Sequence, residues 1–318
     1  MAPVYRAAMP DTDTFADTLT VRPLTADDVG AVLALSRADE ERATGRPSQL
    51  TEGDVRDWWQ RLDLTTDSWM LTAPGAPEPV AVAWLEKAGD ELGFTFPVVT
   101  RDRDATLPLA LDLVERRAVE QGLQRLHVST YVPDEPADRV LTGRGYREVR
   151  RFYEMAIELD TPPPAARLPE GLTLRSVTEE DAREFHATIG EAFEDHWEHH
   201  PMPFDEWWAM RSQDPDVDLS WWFAVHEGDR MVAAIRNVPA RNGGVYVATL
   251  GVRRAWRGHG LAKALLAHTF RRAVEAGFPR VTLGVDASSP TGATALYRSV
   301  GMTEELESAV WERSLADL

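Results

Sequence analysis

The 318-residue chain contains no cysteine. That absence removes disulfides, thiolate zinc sites and a thiol nucleophile together, and it suits a reducing compartment. The first twenty residues, "MAPVYRAAMPDTDTFADTLT", hold no continuous apolar core of the kind a signal peptide needs, and no later run reaches the length of a membrane span. The expected location is the cytoplasm, with no membrane partner. A basic face is missing too: 34 lysines and arginines against 52 aspartates and glutamates leave a formal net charge of -18. Nucleic acid and anionic lipid both need clustered positive charge, so neither is expected as a partner. The acidic balance favours neutral or cationic small substrates. What remains, at 43% hydrophobic and 27% charged residues, is a soluble globular composition long enough for two ordinary domains.

The clearest break is "DTPPPAARLP", residues 160–169, where consecutive prolines can neither donate to a ladder nor continue a helix. It separates an amino-terminal domain, 1–159, from a carboxy-terminal domain, 170–318. The two halves echo one another. "LTVRPLTADDV" at 19–29 returns as "LTLRSVTEEDA" at 172–182, each a short alternating strand running into a Thr cap and acidic residues that open a helix. Trp58-Trp59 is matched by Trp207-Trp208, "PVAVAWL" at 79–85 by "MVAAIRN" at 231–237, and "GYREV" at 145–149 by "GMTEE" at 301–305. Echoes in one order at nearly constant spacing read as a duplication on the scale of a domain.

Within the second half, "VYVATLGV" (245–252) is strand-like, and a helical pattern begins at Leu261, with Ala262, Leu266, Phe270 and Val274 on one face. Gly277 and Pro279 end it. "RVTLGV" (280–285) alternates as a strand, and "ATALYRSVG" forms a short helix closed by Gly301. Between the first strand and its helix stands Arg257-Gly258-His259-Gly260. The first turn of a helix offers unpaired N–H groups and the positive end of the dipole, so an anion seated there satisfies both if no side chain blocks its approach. Gly258 and Gly260 remove those side chains, Ala262 keeps the next turn small, and Arg257 can add charge. No Gly-Lys-Ser/Thr follows, so this is not a Walker loop, and the third glycine of a dinucleotide fingerprint is absent.

"VRRAWRGHGLAKALL" followed by "VDASSPTGATALYRSVGM" resembles the acyl-CoA binding core of the GCN5-related N-acetyltransferases (GNAT superfamily), whose Arg/Gln-x-x-Gly-x-Gly/Ala signature is met by Arg257, Gly260 and Ala262. The duplicated layout is similar to the tandem members, of which mycothiol synthase is one. The resemblance implies an α/β (α+β) fold of two tandem GNAT domains, each a mixed, mostly antiparallel central sheet flanked by helices. It implies acetyl-CoA as co-substrate and no metal. Backbone near Leu250, Gly251 and Val252 would pair with the pantetheine arm, and amides from Gly258 through His259, Gly260 and Leu261 to Ala262 would hold the diphosphate. Ser289 stands near the place of a CoA-contacting asparagine. Tyr297 matches the general acid, and the oxyanion would rest on an N–H near Leu250.

Several relatives carry a glutamate base on the strand before the glycine turn. Tyr246 stands there instead, and no carboxylate occurs in "GGVYVATLGV". In "EAFEDHWEHHPMPFDEWW" (191–208), Glu194, Asp195 and His196 are candidates to bind or deprotonate an amine, set against a charge-rich helix end whose aromatic residues pack. His196, His199 and His200 have helical spacing, but no third ligand type accompanies them, so zinc is not expected. The first half departs from the pattern: Arg101-Asp102-Arg103-Asp104 precedes a helix expected from about Leu109, without glycine, and Leu141 faces the position of Tyr297. That half is expected to keep the fold, lack the donor site and shape the acceptor cleft. The reading is an N-acetyltransferase with one active site, its partner a small-molecule amine and its state monomer or homodimer. The alternatives are another acyl donor, a hydroxyl acceptor, or a CoA-binding regulatory module without turnover.

Overall fold

The computed structural model describes residues 18–60, 62–76, 78–164, 167–212, 217–289 and 291–316. The chain divides into two compact units, Met1–Phe152 with Leu306–Leu318, and Tyr153–Glu305. A contiguous split at the proline-rich segment would give the last strand to the second unit. The chain's own compactness gives it to the first.

The first unit runs β1 (Thr20–Arg22), α1 (Val29–Thr44), α2 (Glu52–Trp59), β2 (Ser68–Thr72), β3 (Pro79–Trp84), β4 (Glu86–Ala88), β5 (Leu92–Thr95), β6 (Val98–Val99), α3 (Arg103–Glu120), β7 (Arg125–Tyr131), α4 (Glu135–Gly143) and the start of β8 (Arg147–Glu158). One sheet has the order β1-β2-β3-β6, and β4, β5 and β7 lie side by side, β5 parallel to β7. Strand alternation sends successive side chains of β2 and β3 to opposite faces. Leu71, Ala81 and Ala83 therefore meet Leu107, Leu111 and Val114 of α3. Met70, Val82 and Trp84 meet Val29, Val32 and Leu35 of α1 with Val55 and Trp59 of α2. Each Leu, Val or Met among them, fully buried, contributes about 1.5–3 kcal/mol.

Helix α3 begins at Arg103, not near Leu109, and carries Pro108 in its interior. A proline there removes one helical hydrogen bond, so a sequence reading starts the helix after it. Burial of Thr106, Leu107 and Ala110 holds the first turns regardless.

The second unit continues with the end of β8, then β9 (Leu172–Ser176), α5 (Ala182–Phe193), α6 (Phe204–Ser212), β10 (Trp222–Glu227), β11 (Arg230–Arg241), β12 (Gly244–Val252), α7 (Leu261–Glu275), β13 (Arg280–Asp286) and α8 (Ala293–Ser299). The strand order is β8-β13-β12-β11-β10-β9. β9 to β12 are antiparallel neighbours, and β12 and β13 are parallel. Met231 to Ile235 of β11 are wholly buried, with Phe185 of α5 and Leu265, Leu266 and Phe270 of α7 in the same core. β14 (Thr303–Ser314) closes the chain, and from Ser308 it pairs antiparallel with β7 inside the first unit. Among the described residues, no helix is long and apolar enough to cross a membrane.

The duplication is visible in side-chain detail. Arg22 makes a two-pronged ion pair with Asp28 at 2.8 and 2.6 Å, and Arg175 does the same with Asp181 at 2.6 and 2.8 Å. Each aspartate also accepts from the backbone N–H and hydroxyl of the Thr that opens the helix, Thr25 and Thr178. Residue types and partners repeat at one constant spacing along the chain. The arginine hydrogen bonds hold Asp28 down to about 2, and Asp181 lies well below the usual carboxylate range for the same reason. Folded values below the unfolded value of about 4 give stability that is full above about pH 4–5 and lost as pH falls through the folded values. The melting temperature should therefore drop between pH 5 and 2. Asp181→Asn should melt lower at pH 7 and show a shallower acid decline, read by circular dichroism.

Candidate active site

Among the described residues, the parallel strands β12 and β13 pair at two positions, Val245 with Val281 and Tyr246 with Thr282. Beyond these no further pair joins them among the described residues, and β12 continues to Val252 paired with β11. Arg253 donates its N–H to Val232 of β11. Backbone direction alternates along a strand, so the N–H and C=O of Val252 and Leu250 point the other way, into the opening. A β-bulge lies just before them: Arg236 faces Thr249 and Asn237 faces Val247, which leaves Ala248 as the extra residue. Bulges re-aim backbone groups beside sites of chemistry. The result is an edge inside a wedge to which the Leu250 N–H and C=O and the Val252 N–H turn, able to pair with an extended amide-bearing chain as an added strand would.

The same alternation removes Gly251 from the set expected to face a ligand. Its backbone turns to Ala234 of β11, and a Cβ there would stand 2.8 Å from Ile189 Cδ1 and 2.9 Å from Ala192 Cβ. Gly251 is glycine because α5 packs directly on the strand. Gly251→Ala should therefore cost about 1–3 kcal/mol by overpacking, seen as a lower denaturation midpoint with unchanged slope.

The seat at the head of α7 is built as the glycines require. Gly258 and Gly260 adopt φ of 80° and 78°, a region closed to most side chains, and Gly260 is the helix N-cap. A Cβ at either position would meet nothing within 4 Å, so the space above both is open. No side chain caps the helix, and its first turn carries no acid. The N–H groups of Leu261, Ala262 and Lys263 precede the first intrahelical bond, Ala264 to Gly260. These features fit a diphosphate. The exposed His259 turns its Nδ1 to the loop's own backbone, donating to the carbonyls of Trp256 and Arg257 at 3.2 and 3.0 Å.

Arg257 has a structural employment that the motif does not reveal. Its guanidinium reaches the carbonyls of Ala192 at 3.1 Å and Val252 at 3.4 Å. In the first unit, Arg103 likewise reaches the carbonyl of Val99 and, at 2.8 Å, the carboxylate of Asp39. Val99 and Asp39 are the duplicates of Val252 and Ala192. An arginine tying strand end to helix end is thus common to both units, one of which has no seat.

Glu194 and Asp195 are placed beside the seat loop. Arg254 pairs with Asp195 at 2.7 Å and Glu194 at 3.2 Å, and Arg257 stands 3.5 Å from Asp195. Both carboxylates are engaged, which a sequence reading of acids at a helix end does not foresee. The His196 ring is stacked on Phe193 with centroids 4.1 Å apart. His200 approaches Glu198 at 3.4 Å. Ser289 lies in the turn after β13, its Oγ 2.9 Å from Thr291 Oγ1.

Tyr297 is buried on α8, and that burial pushes its phenol up to about 12, Tyr246 adding to the effect. A proton held so firmly is present throughout the neutral range. The Tyr246 hydroxyl leans across to β13, 3.5 Å from where a Cβ of Gly284 would stand.

The first unit differs at the positions that duplicate Leu250, Gly260 and Tyr297. Where Leu250 offers an N–H, Pro97 has none, and the strand breaks there into β5 and β6. Three residues, 100–102, join β6 to α3, whereas eight, 253–260, join β12 to α7. Asp102 holds the left-handed N-cap position, at φ 46°, where Gly260 stands in the second unit. Arg103 ion-pairs with Asp134 at the head of α4, and Leu141 is buried where Tyr297 would be.

Residues 179–302 match the acetyltransferase (GNAT) family. The chain is 32% identical over 190 residues to a mycothiol acetyltransferase of Thermobispora bispora, a match covering 56% of this chain and 62% of that protein's own length. It is 27% identical over 308 residues to one from Catenulispora acidiphila, covering 90% and 95% of the two chains. Among solved structures, a GCN5-related N-acetyltransferase from Sphaerobacter thermophilus superposes with a TM-score of 0.80 at 28% identity over 95% of this chain and 97% of that one. A tandem GNAT protein from the clavulanic acid biosynthesis pathway shares the fold at a TM-score of 0.66 and 16% identity, over 94% and 99%. The wedge between parallel strands and the glycine seat at the helix head lie within the residues that match the acetyltransferase (GNAT) family, and over its length the chain is similar in fold to a tandem GNAT protein.

Proposed function

We propose that the protein transfers an acetyl group from acetyl-CoA to an amine of a small molecule, at one active site in the second unit. The observation that carries this reading is the pairing of a capless, acid-free helix head at Gly260 with the opening where Leu250 and Val252 turn their backbone outward. The amides from Gly258 to Ala262 would hold the diphosphate, Leu250 and Val252 the pantetheine arm, and Ser289 the arm's far side. Acetyl-CoA supplies the activated thioester.

The chain's own residues do the rest. Leu250 N–H is directed to stabilise negative charge developing on the thioester oxygen. The Tyr297 hydroxyl donates its proton to the departing sulfur, and its raised pKa keeps that proton available. The acceptor amine approaches from the α5 side of the wedge. The relatives bear the name mycothiol acetyltransferase, so the acceptor those enzymes use belongs in a panel beside an amino acid, a polyamine and an aminoglycoside. Incubation with acetyl-CoA and each amine should release free CoA thiol with at least one, and mass spectrometry should find that amine heavier by one acetyl group. Thiol release that no amine accelerates would reject the reading.

A further inference from the structure

In the function proposed above, acetyl-CoA is held at two places, its diphosphate at the head of α7 and its pantetheine arm on β12. A ligand gripped at both ends gains from the second grip only when the spacing of the two matches its own length. We propose that Asn237 and Thr269 are positioning residues that set this spacing, by fixing α7 at one height against β11 and β12. The inference rests on the acetyl-CoA reading and concerns how its two parts are kept in register.

Asn237 stands where regular pairing of β11 is interrupted on both sides. Towards β12 the register shifts between Arg236 and Asn237, the bulge that precedes Leu250. Towards β10 the end pair of the ladder is Trp222 with Arg236. The Asn237 side chain takes over there. Its Nδ2 donates to the Trp221 carbonyl at 2.8 Å and to Thr269 Oγ1 of α7 at 3.1 Å, and that hydroxyl returns a longer bond to Asn237 Oδ1 at 3.4 Å. One carboxamide thus ties the bulge, the entry to β10 and α7. Asn237 is 1% exposed and Thr269 0%, so a slip that broke these bonds would leave polar groups dry. Around them Leu265, Leu266 and Phe270 of α7 share one apolar core with Val245 and Val247 of β12. Apolar contact is non-directional and holds a helix to a sheet without choosing one position along it. Thr269 lies about 12 Å along the helix axis from Leu261, so a shift at this point is a shift of the seat.

The duplicated unit supplies a control. "RRAVE" at 271–275 closes α7 and the same letters at 116–120 close α3, which sets Thr269 against Val114. "MVAAIRN" against "PVAVAWL" sets Asn237 against Leu85. Val114 and Leu85 are both buried in the first unit's core, so the same architecture is built there without the polar pair. The pair belongs to the unit that has the glycine seat, and two apolar residues stand in its place in the unit that has none.

Binding of three probes to the full chain decides it: CoA, which spans both places, and pantetheine and inorganic pyrophosphate, which each occupy one. The double variant Asn237→Leu, Thr269→Val, which installs the first unit's own pair, should keep the wild-type circular dichroism spectrum. It should weaken CoA binding on the order of 10–100-fold and leave pantetheine and pyrophosphate within about twofold of wild type. Thr269→Val alone should act in the same direction, whereas Thr269→Ser, which keeps the hydroxyl, should bind CoA within about twofold of wild type. Those two single variants carry the comparison if the double variant does not fold. CoA affinity unchanged in folded Thr269→Val, or fragment affinities that fall as far as that of CoA, would overturn the proposal. Wild-type protein that takes up none of the three probes would instead overturn the acetyl-CoA reading itself.

Discussion

Gly260→Val should weaken acetyl-CoA binding by two orders of magnitude or more. Valine is β-branched and resists the left-handed conformation that Gly260 holds at φ 78°, at about 1–3 kcal/mol of strain. Its side chain would also stand in the space that the seat keeps open. Loss of two or three hydrogen bonds to a charged diphosphate, at about 1.5–3 kcal/mol each, corresponds to roughly 10²–10⁶-fold in affinity. Strain alone is separated from the seat by Gly277→Ala at the other end of α7, where φ is 82° and nothing crowds a Cβ. That variant should melt lower and bind acetyl-CoA normally. Calorimetric titration of both variants checks the difference.

Tyr297→Phe should lower kcat on the order of 10²–10³-fold and leave the acetyl-CoA Kd nearly unchanged, because only a proton donor is removed and the buried ring stays. The pH profile gives a second reading. With its pKa pushed up to about 12, Tyr297 stays protonated and active well past pH 10, so the wild-type alkaline limb should not fall near the pKa of an ordinary phenol. In Tyr297→Phe the remaining rate should depend on whatever acid solvent supplies. Full turnover without the hydroxyl would exclude Tyr297 as the donor.

Much of the second unit was legible in its letters, because local rules wrote it. Two glycines between a strand pattern and a helix pattern mean a left-handed turn and an open helix head, and the structure has both. The repeat was legible because the Arg22 and Arg175 clamps must repeat residue for residue to work. What could not be read is set by partners distant in sequence. The strand after Gly301 has the same pattern whichever neighbour it joins, so nothing announces that Ser308 to Ser314 pair with β7. The bulge at Ala248 exists only relative to β11. The engagement of Glu194 and Asp195 depends on Arg254 folding back across the helix end. Pro97 is in plain view in the sequence, and its meaning follows only from the spacing of the repeat, which makes it the duplicate of Leu250 without an N–H.

Titration of the full-length protein with acetyl-CoA by calorimetry tests the central claim most directly. A single donor site in the second unit predicts one acetyl-CoA bound per chain, with the binding heat lost in Gly260→Val and retained in Gly277→Ala. Two bound per chain, or binding that survives Gly260→Val undiminished, would contradict it.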